Sequence, residues 1–256
     1  MNNSLKARLR RREFTLGSWI SIGHPAVAEI LARVGFDWLV IDLEHSVIGI
    51  ETAGELIRVI DLCGVTPLVR LTSNSPDQIK RVMDAGAAGI VVPMVNCAEE
   101  AARAVAATRY APKGRRGVGL SRAQGYGAAF AEYLDWQRDG PVVIVQIEHQ
   151  DAIPELESIL QVPGVDGFII GPYDLSCSMG IPGHFDDTRF QDALSSIKET
   201  GKRLGCPGGM HIVEPDPGQL VRTRSEGYTF VAYSVDFRML DVVARDGFAV
   251  AVEAVR

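Results

Sequence analysis

The sequence has few lysines, few cysteines and no long apolar run, and each shortage excludes a class of protein. No run approaches the roughly 18 apolar residues of a membrane-spanning helix, so we expect no membrane partner. The apolar segment 16–22 is too short for a secretory signal peptide, and no small-residue cleavage site follows it. The four cysteines are Cys63, Cys97, Cys177 and Cys206. They lack CxxC spacing, which predicts reduced thiols in a cytoplasmic protein.

The composition is that of a packed globular protein. Of 256 residues, 46% are hydrophobic and 23% are charged, which excludes a disordered chain. The formal net charge is −6, whereas binding to a phosphate backbone needs a clustered basic face. The one basic cluster, at 8–12, is followed at once by Glu13. We therefore expect no nucleic-acid partner.

Short apolar runs alternate with longer stretches of helical periodicity along the whole chain. Near-continuous apolar runs such as 142–145 are typical of strands buried on both faces, as in parallel sheets. The pattern predicts eight strands, at 16–22, 38–43, 66–71, 89–95, 142–148, 167–171, 208–213 and 229–235. It predicts helices between them, at 25–34, 50–63, 75–85, 98–108, 152–160, 189–204 and 217–226.

Eight strand–helix units predict a closed (β/α)8 barrel, a TIM barrel, as one domain over 1–256. A doubly wound open sheet is the runner-up, but no GxGxxG follows the first strand. The segment 112–140 is too long for a simple connection and is predicted to be an insertion. Four helices are predicted to end at a left-handed glycine: Gly35, Gly64, Gly86 and Gly227.

Polar residues collect at the ends of successive predicted strands. The strand ends read DLEH at 42–45, VR at 69–70, QIEH at 146–149 and GPYD at 171–174, and the seventh strand holds His211. Active groups of such barrels lie at the carboxyl ends of the strands. Unpaired polar groups cost several kcal/mol to desolvate, so packing alone does not favour such a cluster. The sequence therefore places its candidate site there.

Two carboxylates at these ends suggest a metal site. Gln146 and Glu148 are two residues apart on one strand, so their side chains point to the same face, and Asp174 follows the next strand. Carboxylates without a Cys/His ligand set suit a hard divalent ion such as Mg²⁺ or Mn²⁺ that keeps positions for water and substrate. The alternative is that Glu148 or Asp174 pairs with an arginine at the rim.

Two further residues at strand ends have possible chemical roles. Arg70 provides a fixed guanidinium that could bind a carboxylate or stabilise an oxyanion, or could serve only as an ion-pair partner. His45 could be a general base because histidine titrates near neutrality, although a lone loop histidine often has no such role. An imine mechanism would need a lysine at a strand end. The five lysines are Lys6 in the amino-terminal tail, Lys80, Lys113, Lys198 and Lys202. None of them ends a predicted strand, which favours metal-assisted enolisation.

Taken together, several motifs resemble the HpcH/HpaI aldolase family over nearly the whole chain. They are GSW at 17–19, FDWLVIDLEH at 36–45, VR at 69–70, VPMV at 92–95, RRGVG at 115–119, QIE at 146–148 and GPYDLS at 171–176. The resemblance implies a TIM barrel of the phosphoenolpyruvate/pyruvate type. It also implies a class II aldolase that cleaves 4-hydroxy-2-oxo acids into pyruvate and an aldehyde.

The resemblance implies roles for individual residues. Glu148 and Asp174 look like the ligands of a divalent ion, Mg²⁺ or Mn²⁺, with Co²⁺ as a further possibility. His45 looks like the base, and Asp84 resembles the carboxylate that raises its basicity. Arg70 resembles the residue that stabilises the pyruvate enolate. The remaining positions look like substrate contacts or pocket supports: Trp19, Asp42, Gln146, Tyr173, Asp174 and His211.

The family also implies a homotrimer or homohexamer. The corresponding loop of the family reaches a neighbouring site, so Arg122 in the insertion is predicted to line an adjacent site; the alternative is a solvated surface loop. The polar residues His24, Tyr173 and His211 predict a hydroxylated aldehyde as acceptor. The rival functions are an oxaloacetate decarboxylase that uses the same metal enolate, a citryl- or malyl-thioester lyase, and a non-catalytic barrel that binds a keto acid.

Overall fold

The computed structural model describes residues 4–255 and contains a closed barrel of eight parallel strands. Each strand pairs with the next, and β8 pairs with β1 to close the barrel. The predicted TIM barrel is therefore confirmed. The strands are β1 Thr15–Ile20, β2 Trp38–Asp42, β3 Thr66–Arg70, β4 Gly89–Val92, β5 Val142–Ile147, β6 Gly167–Ile170, β7 Gly208–Ile212 and β8 Phe230–Val235.

All seven predicted helices are present with bounds within one residue of the prediction. The helices are α1 Ser4–Arg10, α2 Pro25–Val34, α3 Ile50–Leu62, α4 Pro76–Ala85, α5 Ala98–Thr108, α6 Phe130–Trp136, α7 Ala152–Leu160, α8 Pro172–Ser178, α9 Thr188–Leu204, α10 Pro217–Ser225 and α11 Asp236–Ala254. Four of these, α1, α6, α8 and α11, were not predicted. All four predicted terminal glycines have positive φ. None of the helices within 4–255 is long and apolar enough to cross a membrane.

Seven predicted strands extend too far at their carboxyl ends. The largest error is in β4, which ends at Val92 rather than at 95. Most of the residues beyond the true strand ends are apolar, among them Leu43, Leu71, Met94 and Val213. Local hydropathy therefore does not separate them from strand residues.

The inward-facing residues of the strands form a buried cluster inside the barrel, separate from the core between barrel and helices. In β2, Trp38 and Val40 belong to this cluster, and in β5 Ile144 does. Because side chains alternate along a strand, the next inward positions are Asp42 and Gln146. The apolar rows of the interior thus lead directly to polar residues at the mouth.

Helix α1 closes the amino end of the barrel, where the sequence predicts only a tail. Its Leu5 and Leu9 join the interior cluster. Lys6 is 1% exposed, and its Nζ donates to the carbonyl oxygen of Pro141 at 2.7 Å and to Oδ2 of Asp166 at 2.8 Å. Seven residues are too few to show helical periodicity or to form a stable isolated helix, so the helix depends on these tertiary contacts.

The insertion folds against its own barrel through a small aromatic cluster. The guanidinium carbon of Arg116 lies 4.8 Å from the ring centroid of Tyr110 and 5.5 Å from that of Tyr133. Arg116 also donates to the hydroxyl of Tyr133 at 2.6 Å. Burial raises the pKa of Tyr133 to about 12, so this hydroxyl stays protonated. Val118 and Leu120 of the same insertion remain exposed.

Helix α11 projects large apolar side chains into solvent. Of its 19 residues, only Asp236 at the first position is buried. A run of exposed apolar side chains of this kind marks an interaction surface more often than a free one. The exposed residues include Phe237, Leu240, Val243, Phe248 and Val250.

We predict that Lys6→Ala lowers the free energy of unfolding by about 3–5 kcal/mol, because it leaves the buried Asp166 carboxylate without its cation. Denaturant unfolding measures the change. The matched control is Arg10→Ala on the same helix, which removes an exposed ion pair with Asp139 and should cost less than about 1 kcal/mol. Equal losses in the two variants would contradict a structural role for Lys6.

Candidate active site

Residues from six strand ends or the loops after them surround one cavity at the carboxyl end of the barrel. Its volume is about 200 Å³. The alternation along the strands explains why these residues converge, because each continues an inward-facing row or follows it directly. The lining includes Trp19, His45, Arg70, Gln146, Tyr173, Asp174 and His211.

Arg70 is fixed by an ion pair with Asp42 on the neighbouring strand. Its Nε donates to Oδ1 of Asp42 at 2.8 Å, and its Nη2 donates to Oδ2 at 2.6 Å. Burial opposes ionisation of Asp42, but the bonds and charge of Arg70 outweigh it and hold the pKa below its ordinary value. The guanidinium carbon lies 4.4 Å from the ring centroid of Trp19. Arg70 therefore presents a permanent, oriented positive charge to the cavity.

Glu148 is held by two donors beneath the mouth. Its Oε1 accepts from the backbone N–H of Met94 at 2.7 Å, and its Oε2 accepts from Nε2 of Gln146, as their shared face predicts. Met94 has φ of 53°, a left-handed conformation that is uncommon for a residue with a side chain. At Gly171, a Cβ atom would lie 2.8 Å from Oε2 of Glu148. Because Gly171 has no side chain, the carboxylate of Glu148 can occupy this space.

The mouth contains more negative than positive charge. Burial, with the charges of Glu148, Asp42 and Asp174, raises the pKa of Glu44 to about 7, although Arg70 opposes the rise. The pKa of Glu148 is also raised, first by burial and further by the nearby Asp174, against its hydrogen bonds. Mutual repulsion of this kind is relieved when a cation binds between the carboxylates.

Carboxylate and amide oxygens at the mouth fit a divalent cation. Oε2 of Glu44 and Oε1 of Gln146 are buried without a hydrogen-bond partner in the described chain, although Oε2 of Glu44 lies 3.3 Å from Nη1 of Arg70. Among residues 4–255, no three His, Cys, Asp or Glu side chains form a ready metal site. A site with only Glu148 and Asp174 as protein ligands would leave positions open for water and substrate. The residues present therefore fit such an ion.

His45 and Asp84 do not meet within residues 4–255. Nε2 of His45 lies 3.9 Å from Oε2 of Glu44, and the histidine side chain is 66% exposed. Asp84 lies on α4, where its Oδ1 accepts from Nη2 of Arg116 at 2.5 Å. One copy of the chain therefore does not supply the predicted contact between His45 and Asp84. The roles of both residues stay predictions.

Arg122 also lies away from the cavity of its own chain. Its Nη2 donates to Oδ2 of Asp61 at 2.6 Å, and its Nη1 donates to the carbonyl oxygen of Ala85 at 3.2 Å. The predicted role of Arg122 concerned a neighbouring copy and stays a prediction.

The three polar residues assigned to the acceptor differ in position. Tyr173 and His211 line the cavity, whereas His24 caps α2 and accepts from the backbone N–H of Ala26. Burial lowers the pKa of His211 to about 4, so the ring is neutral near pH 7. Its Nε2 lies 3.2 Å from the carbonyl oxygen of Ser234, which assigns the ring proton to Nε2 and leaves Nδ1 as an acceptor.

Two functional groups of the mouth were missed by the sequence reasoning. Glu44 was visible only as part of the DLEH strand end, and nothing in the sequence distinguished it from an exposed loop carboxylate. The N–H of Met94 is a backbone group, and its orientation depends on a φ angle that cannot be predicted from the residue type. Both require the folded geometry.

Comparisons with known proteins agree with the geometry. Residues 15–241 match the family model described as HpcH/HpaI aldolase/citrate lyase. A hydroxypyruvate/pyruvate aldolase of Sagittula stellata is 38% identical, covering 94% of this chain and 95% of that protein. A 4-hydroxy-2-oxo-heptane-1,7-dioate aldolase of Salmonella typhimurium is 39% identical, with coverage of 94% and 91%. A crystal structure of a family protein from Burkholderia cenocepacia superposes with a TM-score of 0.92 at 33% identity, covering 98% and 99%. As its motifs predict, the chain belongs to the HpcH/HpaI aldolase/citrate lyase family.

Proposed function

We propose that this protein is a carbon–carbon lyase, a metal-dependent class II pyruvate aldolase that reversibly cleaves a 4-hydroxy-2-oxo acid into pyruvate and an aldehyde. The observation that carries the proposal is the guanidinium of Arg70, oriented by Asp42 at a cavity that Asp174 and Gln146 also line. Glu148 is hydrogen-bonded to Gln146, and the charges of Asp174 and Arg70 both act on it. The names of the Sagittula and Salmonella relatives support the same reaction class.

Arg70 stabilises the charge that develops during cleavage. The proton leaves the C4 hydroxyl, the C3–C4 bond breaks, and its electron pair stays on the pyruvate half as an enolate. Asp42 binds Nε and Nη2 of Arg70, so Nη1, which lies 3.3 Å from Oε2 of Glu44, is the nitrogen that would bind the C2 oxygen of the substrate. Donors already oriented toward a developing oxyanion contribute about 2.7–4 kcal/mol of transition-state stabilisation.

Glu148 and Asp174 would hold the divalent ion, for which we propose Mg²⁺ or Mn²⁺, with Co²⁺ as a further possibility. When bound, the ion withdraws electron density from the keto group and offsets the negative charge of the enolate. The N–H of Met94 and the amide of Gln146 orient Glu148 for this role.

His45 is the proposed base, and Asp84 of a second copy is its proposed partner. Within one copy each lies against a different residue, His45 near Glu44 and Asp84 on Arg116. An exposed imidazole at the mouth can reach both the cavity and an approaching chain. A carboxylate beside it would orient the ring and favour proton abstraction.

Two surfaces support the proposed homotrimer or homohexamer. Helix α11 exposes Leu240, Val243 and Phe248, and the insertion exposes Val118 and Leu120. Apolar side chains of this number and size favour burial against another copy. The insertion also holds Arg116, so its surface lies next to Asp84.

The acceptor end favours a hydroxylated aldehyde. Tyr173 is 61% exposed at the rim, where its hydroxyl can donate, and Nδ1 of His211 can accept. A short aliphatic aldehyde would leave both groups without a partner from the substrate, which reduces its advantage in binding.

The first prediction concerns the metal. A chelator should abolish retro-aldol activity and Mg²⁺ or Mn²⁺ should restore it, whereas borohydride with pyruvate should have no effect. Glu148→Gln should lower kcat by about 10²-fold or more and weaken Mn²⁺ binding in calorimetry by about 10–100-fold. The control is Glu157→Gln, an exposed carboxylate on α7. Wild-type Mn²⁺ affinity in Glu148→Gln would refute the ligand assignment.

The second prediction concerns the contact between copies. His45→Ala and Asp84→Asn should each lower kcat by about 10²-fold as uniform oligomers. When the two variants are unfolded and refolded together, some sites combine an intact His45 with an intact Asp84, and activity should return. Each variant refolded alone is the control. Mixed samples that contain hybrid oligomers but stay inactive would contradict a contact between copies.

The third prediction concerns the acceptor. In the synthetic direction with pyruvate, kcat/KM for glycolaldehyde or glyceraldehyde should exceed that for acetaldehyde. Tyr173→Phe should reduce this preference by about 5–10-fold, since it removes one hydrogen bond. The matched control is Tyr228→Phe at the amino end of the barrel. If acetaldehyde or succinic semialdehyde reacts as well as the hydroxylated aldehydes, the assignment is wrong.

A further inference from the structure

A second cleft lies at the amino end of the barrel, opposite the candidate active site. It has a volume of about 630 Å³ and forms where α1, the two ends of the insertion, the α7–β6 loop and the α9–β7 loop meet. Its charged lining consists of four cations and two carboxylates: Arg10, Arg109, Lys113, Arg138, Asp139 and Asp166. This positive excess occurs in a chain whose formal net charge is −6.

Arg109 in this cleft is buried, and two of its three side-chain nitrogens lack an acceptor in the described part of the chain. It is 8% exposed, and its Nε and Nη2 have no hydrogen-bond partner within residues 4–255. Its guanidinium lies against Gly164, where a Cβ atom would be 2.6 Å from Nη1. Leaving donors of a charged group unmet in a protein interior is costly, and such groups are rare without a ligand, water or ion.

The two carboxylates of the cleft already have other partners. Asp166 accepts from Lys6 at 2.8 Å and from the backbone N–H of Val143 at 2.9 Å. Asp139 accepts both of its bonds from Arg10, at 2.7 and 2.6 Å. Neither carboxylate forms a hydrogen bond with Arg109 in the described part of the chain. The charge of Arg109 favours ionisation of both carboxylates, but neither of them accepts from its unpartnered donors.

Lys113 adds a second cation that lacks a carboxylate partner among residues 4–255 and is exposed to solvent. Arg138 adds a third cation, whose one ion pair among the described residues is a 3.4 Å contact with Asp135. A planar guanidinium beside exposed cationic side chains is an arrangement that suits oxyanions with more than one charge.

We propose that this cleft binds a small dianion, with a phosphate group or a pair of carboxylates placed against Arg109 and Lys113. The site is separate from the candidate active site and does not depend on the proposed aldolase reaction.

Thermal unfolding of the full chain tests the proposal, with inorganic phosphate and succinate as probes and potassium chloride at equal ionic strength as the reference. About 10 mM of the preferred anion should raise Tm by about 3 °C, as expected for a dissociation constant near 1 mM. A larger shift with phosphate identifies a phosphate compound as the ligand, and a larger shift with succinate identifies a dicarboxylate.

Variants locate the site. Arg109→Met should abolish the shift, and Lys113→Gln, an exposed substitution that leaves the fold intact, should at least halve it. Two control variants change cations elsewhere. Lys198 lines a neighbouring cleft and is replaced in Lys198→Gln, and Arg70 lines the candidate active site and is replaced in Arg70→Gln. Both should keep the full shift. The proposal is overturned if neither anion raises Tm above the chloride reference, or if the shift survives in Lys113→Gln and Arg109→Met.

Discussion

The ion pair between Asp42 and Arg70 is the interaction on which the candidate active site depends. Asp42 fixes two donors of Arg70, and its Oδ1 also accepts from the backbone N–H groups of Glu44 and His45 at 3.0 and 3.3 Å. One carboxylate therefore orients both the arginine and the loop that carries the histidine. Without it, only the 3.3 Å contact between Nη1 and Oε2 of Glu44 would hold the guanidinium among the ion pairs of the described chain.

This ion pair follows from the register of the barrel. Asp42 and Arg70 are direct partners in the pairing of β2 with β3. Because side chains alternate along a strand, a slip of one residue would turn one member toward the helices and separate the pair. The buried interior cluster holds that register, and α1 completes the cluster from the amino end through Leu5 and Leu9. The chemistry at one end thus relies on packing at the other.

The sequence predicted those parts of the structure that depend on local pattern. Alternation along a strand placed Gln146 beside Glu148, and the polar strand ends located the mouth. The sequence did not predict α1, because seven residues are too few to show helical periodicity. The helix is stabilised instead by the contacts of Lys6 and by packing in the barrel interior. The pairing of His45 with Asp84 came from the family resemblance alone, because the spacing of residues in one chain does not indicate a contact between copies, and it stays a prediction.

Buried charge at the amino end shows how a structural role can be separated from a binding role. Lys6 and Arg109 lie in the same region, and both are removed from water. Lys6 has a carboxylate and a carbonyl oxygen within 2.8 Å, so its charge is compensated by the fold itself. Arg109, at 8% exposure against 1% for Lys6, is also buried but has two nitrogens without acceptors in the described chain. Burial alone therefore does not distinguish the two residues. The number of acceptors that the fold supplies does distinguish them, because Lys6 has two acceptors from its own chain and Nε and Nη2 of Arg109 have none among the described residues.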